Sequence, residues 1–354
     1  MPGMSGLTRR QLLLSLPALA VAPRALAQRF TGLVAKPLMA AQSPSGNPPI
    51  RVRSLNHFGI AVSDPKRSVD FYQGLFGMPV QARAGTTTIL RLGNGPQFIS
   101  IAPVAGGAAP SITHYCLGVE GFNLDRVLTS LAAHGVAKAD AVGPMKVNVA
   151  MRDGTPDLLF GDPDGIVCQL QDASYCGGSG PLGNVCKAPE PSPKKGLLAL
   201  RDLSHLTIFS TDAARSNKFY QDLCGLSIRS YQGPTSPTLA VGPTVGFLMF
   251  TGGAPARGGA PPRAATINHG CMSMDAFNPD QVLKSLETYG ITARGDAPGA
   301  VGPMKSYVTM RMENRGGAPG GTPELYFTDP DGLLMQLQDT SYCGGGGFLG
   351  NECK

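Results

Sequence analysis

The strongest constraint on the fold of this chain is an internal repeat. Residues 155–176 read TPDLLFGDPDGIVCQLQDASYC and residues 322–343 read TPELYFTDPDGLLMQLQDTSYC, with 15 identities in 22 positions. A long repeat present in only two copies is typical of duplicated domains, because solenoids are built from several short repeats. The chain of 354 residues is long enough for two domains that each have a core.

The repeat sets the domain boundaries. A polar, proline-rich segment, KAPEPSPKKG, begins at Lys187 and separates the copies, and this is the composition of a linker. We predict this division of the chain: a signal peptide at 1–27, a leader at 28–50, a first domain at 51–186, a linker at 187–200 and a second domain at 201–354.

The first 27 residues have the features of an export signal. The paired arginines Arg9 and Arg10 precede an apolar stretch and an Ala25-Leu26-Ala27 cleavage motif, as in twin-arginine signal peptides. We therefore expect a periplasmic or secreted protein that uses the twin-arginine export machinery and keeps no membrane anchor. Removing this segment lowers the net charge from +6 to +3, because the segment contains three arginines and no acidic residue. So small a charge argues against nucleic-acid binding.

Export affects the interpretation of the cysteines, since disulfides persist in oxidising compartments. Cys176 and Cys186 bracket a glycine-rich loop in the first copy, and Cys343 and Cys353 bracket its counterpart in the second. We predict one disulfide across each loop. A thiolate metal site is the alternative, but neither pair has the short gap that zinc sites favour.

Each copy alternates between strand and helix patterns. Residues 56–62 alternate as a strand does, and Asp64-Pro65 then has the signature of a helix start. A second helix is expected to open at Asn123, and the DPDG sequence at 162–165 predicts a tight turn between two final strands. The second copy repeats this order, so the predicted fold class is α+β.

Four of the five histidines occupy matched positions. His57 and His205 lie on the first strand of each copy, and His114 and His269 lie on the strand before each second helix. Because side chains alternate across a strand, these histidines face away from the bulky apolar residues that pack on the helices.

Gln169 and Gln336 follow the two DPDG turns, also at matched positions. Two histidines and a side-chain amide on polar strand faces, present in both copies, indicate one metal-ligand set in each domain. Hydrogen-bonded polar residues in a half-buried sheet are the alternative interpretation.

This ordered set of elements resembles the vicinal oxygen chelate superfamily, which includes glyoxalase I, extradiol dioxygenases and bleomycin resistance proteins. The resemblance covers about residues 53–172 and 202–339 and rests on the first-strand histidine, the mid-domain histidine and DPDG followed by a polar ligand position. It implies four βαβββ modules that form two cupped-sheet domains, each around a divalent ion (Fe, Mn, Zn or Ni). The ligands that it implies are His57, His114 and Gln169 in the first domain, and His205, His269 and Gln336 in the second.

The chain departs from the extradiol pattern in two respects. Glutamine stands at positions 169 and 336 where the dioxygenases have glutamate, so the ligand set lacks a negative charge. Tyr326 matches the tyrosine of the extradiol signature and is a candidate catalytic residue. Leu159 replaces it in the first copy, and the histidine that precedes this tyrosine in the family is missing from both copies.

The resemblance implies a metal-dependent enzyme that acts on a small oxygenated molecule. A dioxygenase is favoured over a glyoxalase- or isomerase-like lyase, because the two histidines match that branch better. A non-catalytic protein that binds a metal or a small molecule is the other class, as in the resistance proteins. The repeated Arg152 and Arg311 are candidate contacts for an anionic substrate, with an exposed structural role as the alternative.

Overall fold

The computed structural model describes residues 47–252, 264–295 and 301–353. The signal peptide predicted at 1–27 lies outside these residues. The first half contains β1 (Val52–Val62), α1 (Pro65–Phe76), β2 (Val80–Ala84), β3 (Thr87–Arg91), β4 (Phe98–Pro103), β5 (Ser111–Val119), α2 (Leu124–Ala133), β6 (Ala137–Lys138), β7 (Lys146–Arg152), β8 (Thr155–Gly161) and β9 (Val167–Asp172). The second half contains β10 (Asp202–Ser210), α3 (Ala213–Cys224), β11 (Ile228–Tyr231), β12 (Pro237–Ala240), β13 (Phe247–Gly252), β14 (Thr266–Met274), α4 (Pro279–Thr288), β15 (Thr292–Ala293), β16 (Lys305–Arg311), β17 (Thr322–Thr328) and β18 (Leu334–Asp339).

The first helix of each half begins and ends at residues suited to those positions. The Asp64 side chain accepts a hydrogen bond from the Arg67 amide at the start of α1, and Gly77 ends the helix at a φ of 69°. Asp212 and Gly225 serve the same purposes in α3. Carboxylate caps and left-handed glycines satisfy backbone groups that a helix end leaves unpaired.

The strands form two nine-stranded mixed sheets with one topology. The strand order is β2-β3-β4-β1-β5-β9-β8-β7-β6 in the first sheet and β11-β12-β13-β10-β14-β18-β17-β16-β15 in the second. Strands β1 and β5 pair antiparallel at the centre, and each is followed by a helix and three further main strands. Each sheet is therefore two βαβββ units side by side, with β6 or β15 added at one edge, and the predicted α+β fold is confirmed.

Alternation along β1 separates two faces of the first sheet. Phe58, Ile60 and Val62 belong to the hydrophobic core. His57 lies on the opposite face, called the inner face below, where its ring stacks on Phe98 with centroids 4.0 Å apart. The candidate ligands thus lie outside the apolar packing.

The apolar faces of the two sheets share one core. Buried residues from both sheets and all four helices form a single cluster. The rings of Phe71 and Phe76 on α1 lie 6.4 and 5.9 Å from Phe327 of β17. Phe219 on α3 reciprocally packs against Phe160 of β8 at 6.2 Å. Each domain therefore completes its core with a helix of the other, and the described residues all belong to one compact unit.

The DPDG turn of each domain binds the start of the first helix of the other domain. Asp164 accepts hydrogen bonds from the Ser210 hydroxyl (2.6 Å) and the Thr211 amide (3.0 Å), and it pairs with Arg215. Asp331 accepts reciprocally from the Ser63 amide (3.1 Å) and from Arg67 (2.6 Å). A carboxylate at a helix N-terminus also interacts favourably with the helix dipole. These two matched contacts orient the domains.

The predicted linker is attached to the first sheet. Glu190 forms two backbone hydrogen bonds with Val80 of β2, at 2.9 and 2.8 Å, and its carboxylate pairs with Arg83 at 2.5 Å. The segment therefore covers an exposed sheet edge. The domain boundaries at 186 and 201 stay predictions. Within the described ranges, no helix is long and apolar enough to cross a membrane.

Candidate metal centre

The structure brings the two predicted ligand sets together on the inner faces. In the first sheet, Cys116 of β5 lies opposite His57 of β1 and opposite Gln169 of β9, and His114 is two residues from Cys116. The rings of His57 and His114 lie edge to face, with centroids 5.5 Å apart. The second set comprises His205, His269 and Gln336 and repeats this arrangement. The ring centroids of its two histidines are 5.6 Å apart.

Hydrogen bonds orient the ring of His57. The Asn56 side chain donates from Nδ2 to the Tyr175 carbonyl (2.8 Å), so its Oδ1 is the atom that lies 2.8 Å from His57 Nδ1. An amide oxygen only accepts, which assigns the proton of the neutral ring to Nδ1. Nε2 of His57 therefore keeps its lone pair, as metal ligation requires.

The ring proton is also assigned to Nδ1 in the second histidine of each site. The Thr113 hydroxyl donates to the Gly59 carbonyl (3.2 Å), so it accepts from Nδ1 of His114 at 2.9 Å. Nδ1 of His269 lies 2.8 Å from Oδ1 of Asn268. Both rings therefore present an unprotonated Nε2. Neither Asn56 nor Asn268 was identified from the sequence, although each directly precedes a candidate histidine.

The second site contains unpaired buried groups. Gln336 Oε1 accepts a hydrogen bond from Nε2 of His205 at 3.0 Å. Nε2 of His269 and Nε2 of Gln336 are buried and have no hydrogen-bond partner. A buried polar atom without a partner costs about 1–3 kcal/mol. An ion bound between these side chains would take the lone pair of His269.

Burial controls the ionisation of the four histidines. It lowers the pKa of His114 and His269 from 6.5 to about 4. It also lowers the pKa of His57 and His205 well below 6.5, and the neighbouring histidine adds to this effect. At neutral pH all four rings are therefore neutral, and this is the form that binds metals.

These residues fit a divalent ion with three neutral ligands. Within the described ranges, no group of three or more His, Cys, Asp or Glu side chains forms a metal site. In the first domain, however, Asp157 accepts from Nε2 of Gln169 at 2.9 Å, so the Gln169 amide oxygen is free to turn toward the histidines. Two imidazoles and an amide oxygen leave coordination positions open for a substrate.

The predicted disulfides Cys176–Cys186 and Cys343–Cys353 are both present. The tyrosine before each loop enters the inner face: the ring centroid of Tyr175 lies 5.8 Å from His57, and that of Tyr342 lies 5.5 Å from His205. Both tyrosines are buried. Sequence reasoning missed them, although the conserved SYC triplet in the two copies was a usable signal.

The two sites differ at one position that matters for chemistry. The ring of Tyr326 lies edge-on to His269 with centroids 5.3 Å apart and stacks on Tyr307 at 5.2 Å. The Tyr326 hydroxyl donates to Glu324 Oε2 at 3.4 Å. Leu159 occupies the matching position of the first domain. Both sites have a tyrosine beside the first histidine, but among the described residues only the second site has a phenol at this position, beside the second histidine.

Each of the two candidate arginines pairs with an acidic residue that the sequence analysis did not identify. Arg152 pairs with Asp157 at 3.2 Å and donates to the Tyr175 hydroxyl at 2.6 Å. Arg311 is fully buried, and each of its nitrogens donates to a protein oxygen, including Glu324 at 2.7 Å. Asp157 and Glu324 are the third residues of the TPD and TPE triplets, on the same strand face as positions 159 and 326.

Comparison with known proteins agrees with this fold. Residues 54–170 match the family model described as Glyoxalase/Bleomycin resistance protein/Dioxygenase superfamily. That range covers most of the first sheet, and the second sheet repeats its topology. No curated protein sequence matches the chain.

Solved structures of two kinds of enzyme resemble the chain. The Mn(II)-bound glyoxalase from Novosphingobium aromaticivorans is 15% identical, with a TM-score of 0.55 over 81% of this chain and 82% of that one. A catechol 2,3-dioxygenase is 17% identical, with a TM-score of 0.55 over 84% and 88%. Homoprotocatechuate 2,3-dioxygenase from Arthrobacter globiformis is 16% identical, with a TM-score of 0.53 over 84% and 82%. At these identities the likeness shows a shared fold.

Proposed function

We propose that the chain is an exported, metal-dependent enzyme of the vicinal oxygen chelate type that acts on a small oxygenated molecule at its second site. The observation that carries this proposal is the unpaired, buried Nε2 of His269, which lies near the Gln336 amide and beside the Tyr326 ring. Buried polar atoms without partners are rare, and a bound ion or water is one physical explanation for such an atom.

In this proposal His205, His269 and Gln336 hold the ion. His205 now donates from Nε2 to Gln336 Oε1, so binding would require its proton to move to Nδ1, which lies 3.3 Å from the Ser204 hydroxyl. A bound divalent ion would act as a Lewis acid on two neighbouring substrate oxygens. Tyr342 and Phe247 pack against His205 on the inner face and exclude water from that side. Tyr326, whose hydroxyl donates to Glu324 and whose ring contacts His269, would contact a substrate oxygen in this proposal.

Dioxygenase chemistry is our leading assignment. Glyoxalase- or isomerase-like lyase chemistry is the alternative, because solved structures of both kinds of enzyme share the fold. For the first site we propose ion binding without catalysis. Leu159 offers no proton donor where the second site has Tyr326.

Changing one glutamine in each site to glutamate tests the metal assignment. We expect Gln336→Glu to tighten binding of Mn(II) at the second site by roughly tenfold or more, because a negative ligand replaces a neutral one. Gln169→Glu is the matched control. Its new carboxylate would lie against Asp157, to which Gln169 now donates at 2.9 Å, so little or no tightening is expected.

Calorimetric titration of the metal-free variants, with elemental analysis of the wild type, measures this difference. Should the folded wild type bind none of Fe, Mn, Zn or Ni, the metal-dependent function is wrong.

Export is a further part of the proposal, with the twin-arginine machinery as the partner. Two disulfides in the structure support an oxidising compartment. Replacing Arg9 and Arg10 by lysine should leave the precursor in the cytoplasm, since the twin-arginine signal is read by its own receptor. Cell fractionation checks this expectation, and an unchanged exported yield of the double variant contradicts it.

A further inference from the structure

One end of the second inner face is filled by the chain itself. Strands β14 and β18 run parallel, so their C-terminal ends lie at the same edge of the sheet. The Cys343–Cys353 loop follows β18 at that edge. Its Tyr342 is buried in a cluster with Phe247 and Met249. Buried aromatic side chains therefore occupy this end of the inner face.

A pocket lies at the opposite end, where β14 and β18 begin. Its volume is about 480 Å³, within the range of about 300–1,000 Å³ that is typical of small-molecule sites. Both domains contribute to its walls. The first domain provides Ser111 and Ile112 at the start of β5. The second domain provides Thr266, Asn268, Tyr307 and Thr328.

The pocket leads toward the second site. Asn268 lines it and also holds Nδ1 of His269. Tyr307 lines it and stacks on Tyr326, whose ring contacts His269. Thr266 at its edge precedes His269 by three residues, or about 10 Å along a strand. The pocket is thus lined by the residue that directly precedes His269.

The described lining of the pocket is polar but uncharged. Among the described residues, no charged side chain lines the pocket, and its polar groups are hydroxyls and one amide. The guanidinium of Arg294 lies 5.4 Å from the centre of the Tyr307 ring, outside the lining. A charged ligand would lose hydration here without gaining an ionic partner in the described lining. The walls therefore favour an uncharged ligand that hydrogen-bonds to hydroxyl and amide groups.

We propose that this pocket is the entrance and specificity pocket of the second site, that it selects uncharged substrates, and that the first domain supplies one of its walls. The inference rests on the proposed function. It gives the duplication a role, because the start of β5 belongs to a domain that does not contain the second site.

The experiment compares two probes that differ by one carboxylate, 4-methylcatechol and 3,4-dihydroxybenzoate. Calorimetry on the full wild-type chain, with and without Mn(II), should show at least roughly tenfold tighter binding of the uncharged probe. Ser111→Arg places a cation at the exposed wall of the first domain and should cancel or reverse that preference. Ala105→Arg adds the same charge to the same exposed connection, outside the lining, and should leave the preference unchanged.

The outcomes separate the two proposals. Equal affinity of the wild type for both probes, no binding of either probe, or a Ser111→Arg preference like that of the wild type overturns the pocket assignment, whether or not metal is bound. If the wild type takes up no metal but the uncharged probe still binds and Ser111→Arg shifts the preference, the pocket stands and the metal-dependent function falls.

Discussion

Replacing Arg311 by alanine is expected to lower the free energy of unfolding by about 3–5 kcal/mol, because it leaves the Glu324 carboxylate buried without its partner. The side chains of Arg311 and Glu324 are 0% and 5% exposed, and their closest atoms are 2.7 Å apart. Arg311 also donates to the carbonyls of Gly316 and Gly345, which would lose a hydrogen bond. Urea denaturation followed by circular dichroism measures the change.

The first domain provides the matched control for this prediction. Arg152 and Asp157 occupy the corresponding positions, but their side chains are 28% and 25% exposed and lie 3.2 Å apart. Solvent screens this pair, so Arg152→Ala should cost about 1 kcal/mol or less. Similar losses of unfolding free energy in both variants would show that burial of the Arg311–Glu324 pair does not increase its contribution to stability. Arg311→Met combined with Glu324→Leu should recover most of the loss, since no unpaired charge remains.

Replacing His57 or His205 by alanine is expected to remove one bound ion and to leave the other in place. The two ligand sets lie on separate sheets, and each histidine belongs to only one of them. The double variant should bind no ion and still fold, because neither ring is part of the main hydrophobic core. Elemental analysis of Mn(II)-loaded protein, with circular dichroism as the check on folding, gives the stoichiometry.

His134→Ala is the control for the histidine variants. This fifth histidine caps the end of α2, where its Nδ1 lies 2.8 Å from the Ser130 carbonyl, and it belongs to neither ligand set. It should retain all bound metal. Loss of both ions in His57→Ala alone would mean that the sites are coupled, and retention of both would remove His57 from the ligand set.

Local sequence signals predicted much of the secondary structure. Asp64 and Gly77 determine the ends of α1, since a capping carboxylate and a left-handed glycine act on neighbouring residues. Strand β2 is among the strands that the sequence analysis did not predict. The sequence VQARA of β2 has no clear alternation, and most of its residues are only partly buried. Its strand conformation follows from pairing with β3 and with the linker residue Glu190, which sequence patterns do not encode locally.

The duplication, the α+β class and the disulfide pairs were predicted from the sequence and are confirmed, because each is a pattern that occurs twice. The six candidate ligands were predicted in the same way and stay a prediction. Three features depended on the tertiary structure. The amide nitrogen of Gln169 donates to Asp157, whereas the amide nitrogen of Gln336 is buried without a hydrogen-bond partner. Arg311 is buried although its counterpart Arg152 is not. The two domains share one core and one pocket. These features depend on which distant residues meet in space, and two nearly identical segments can differ in that respect when their surroundings differ.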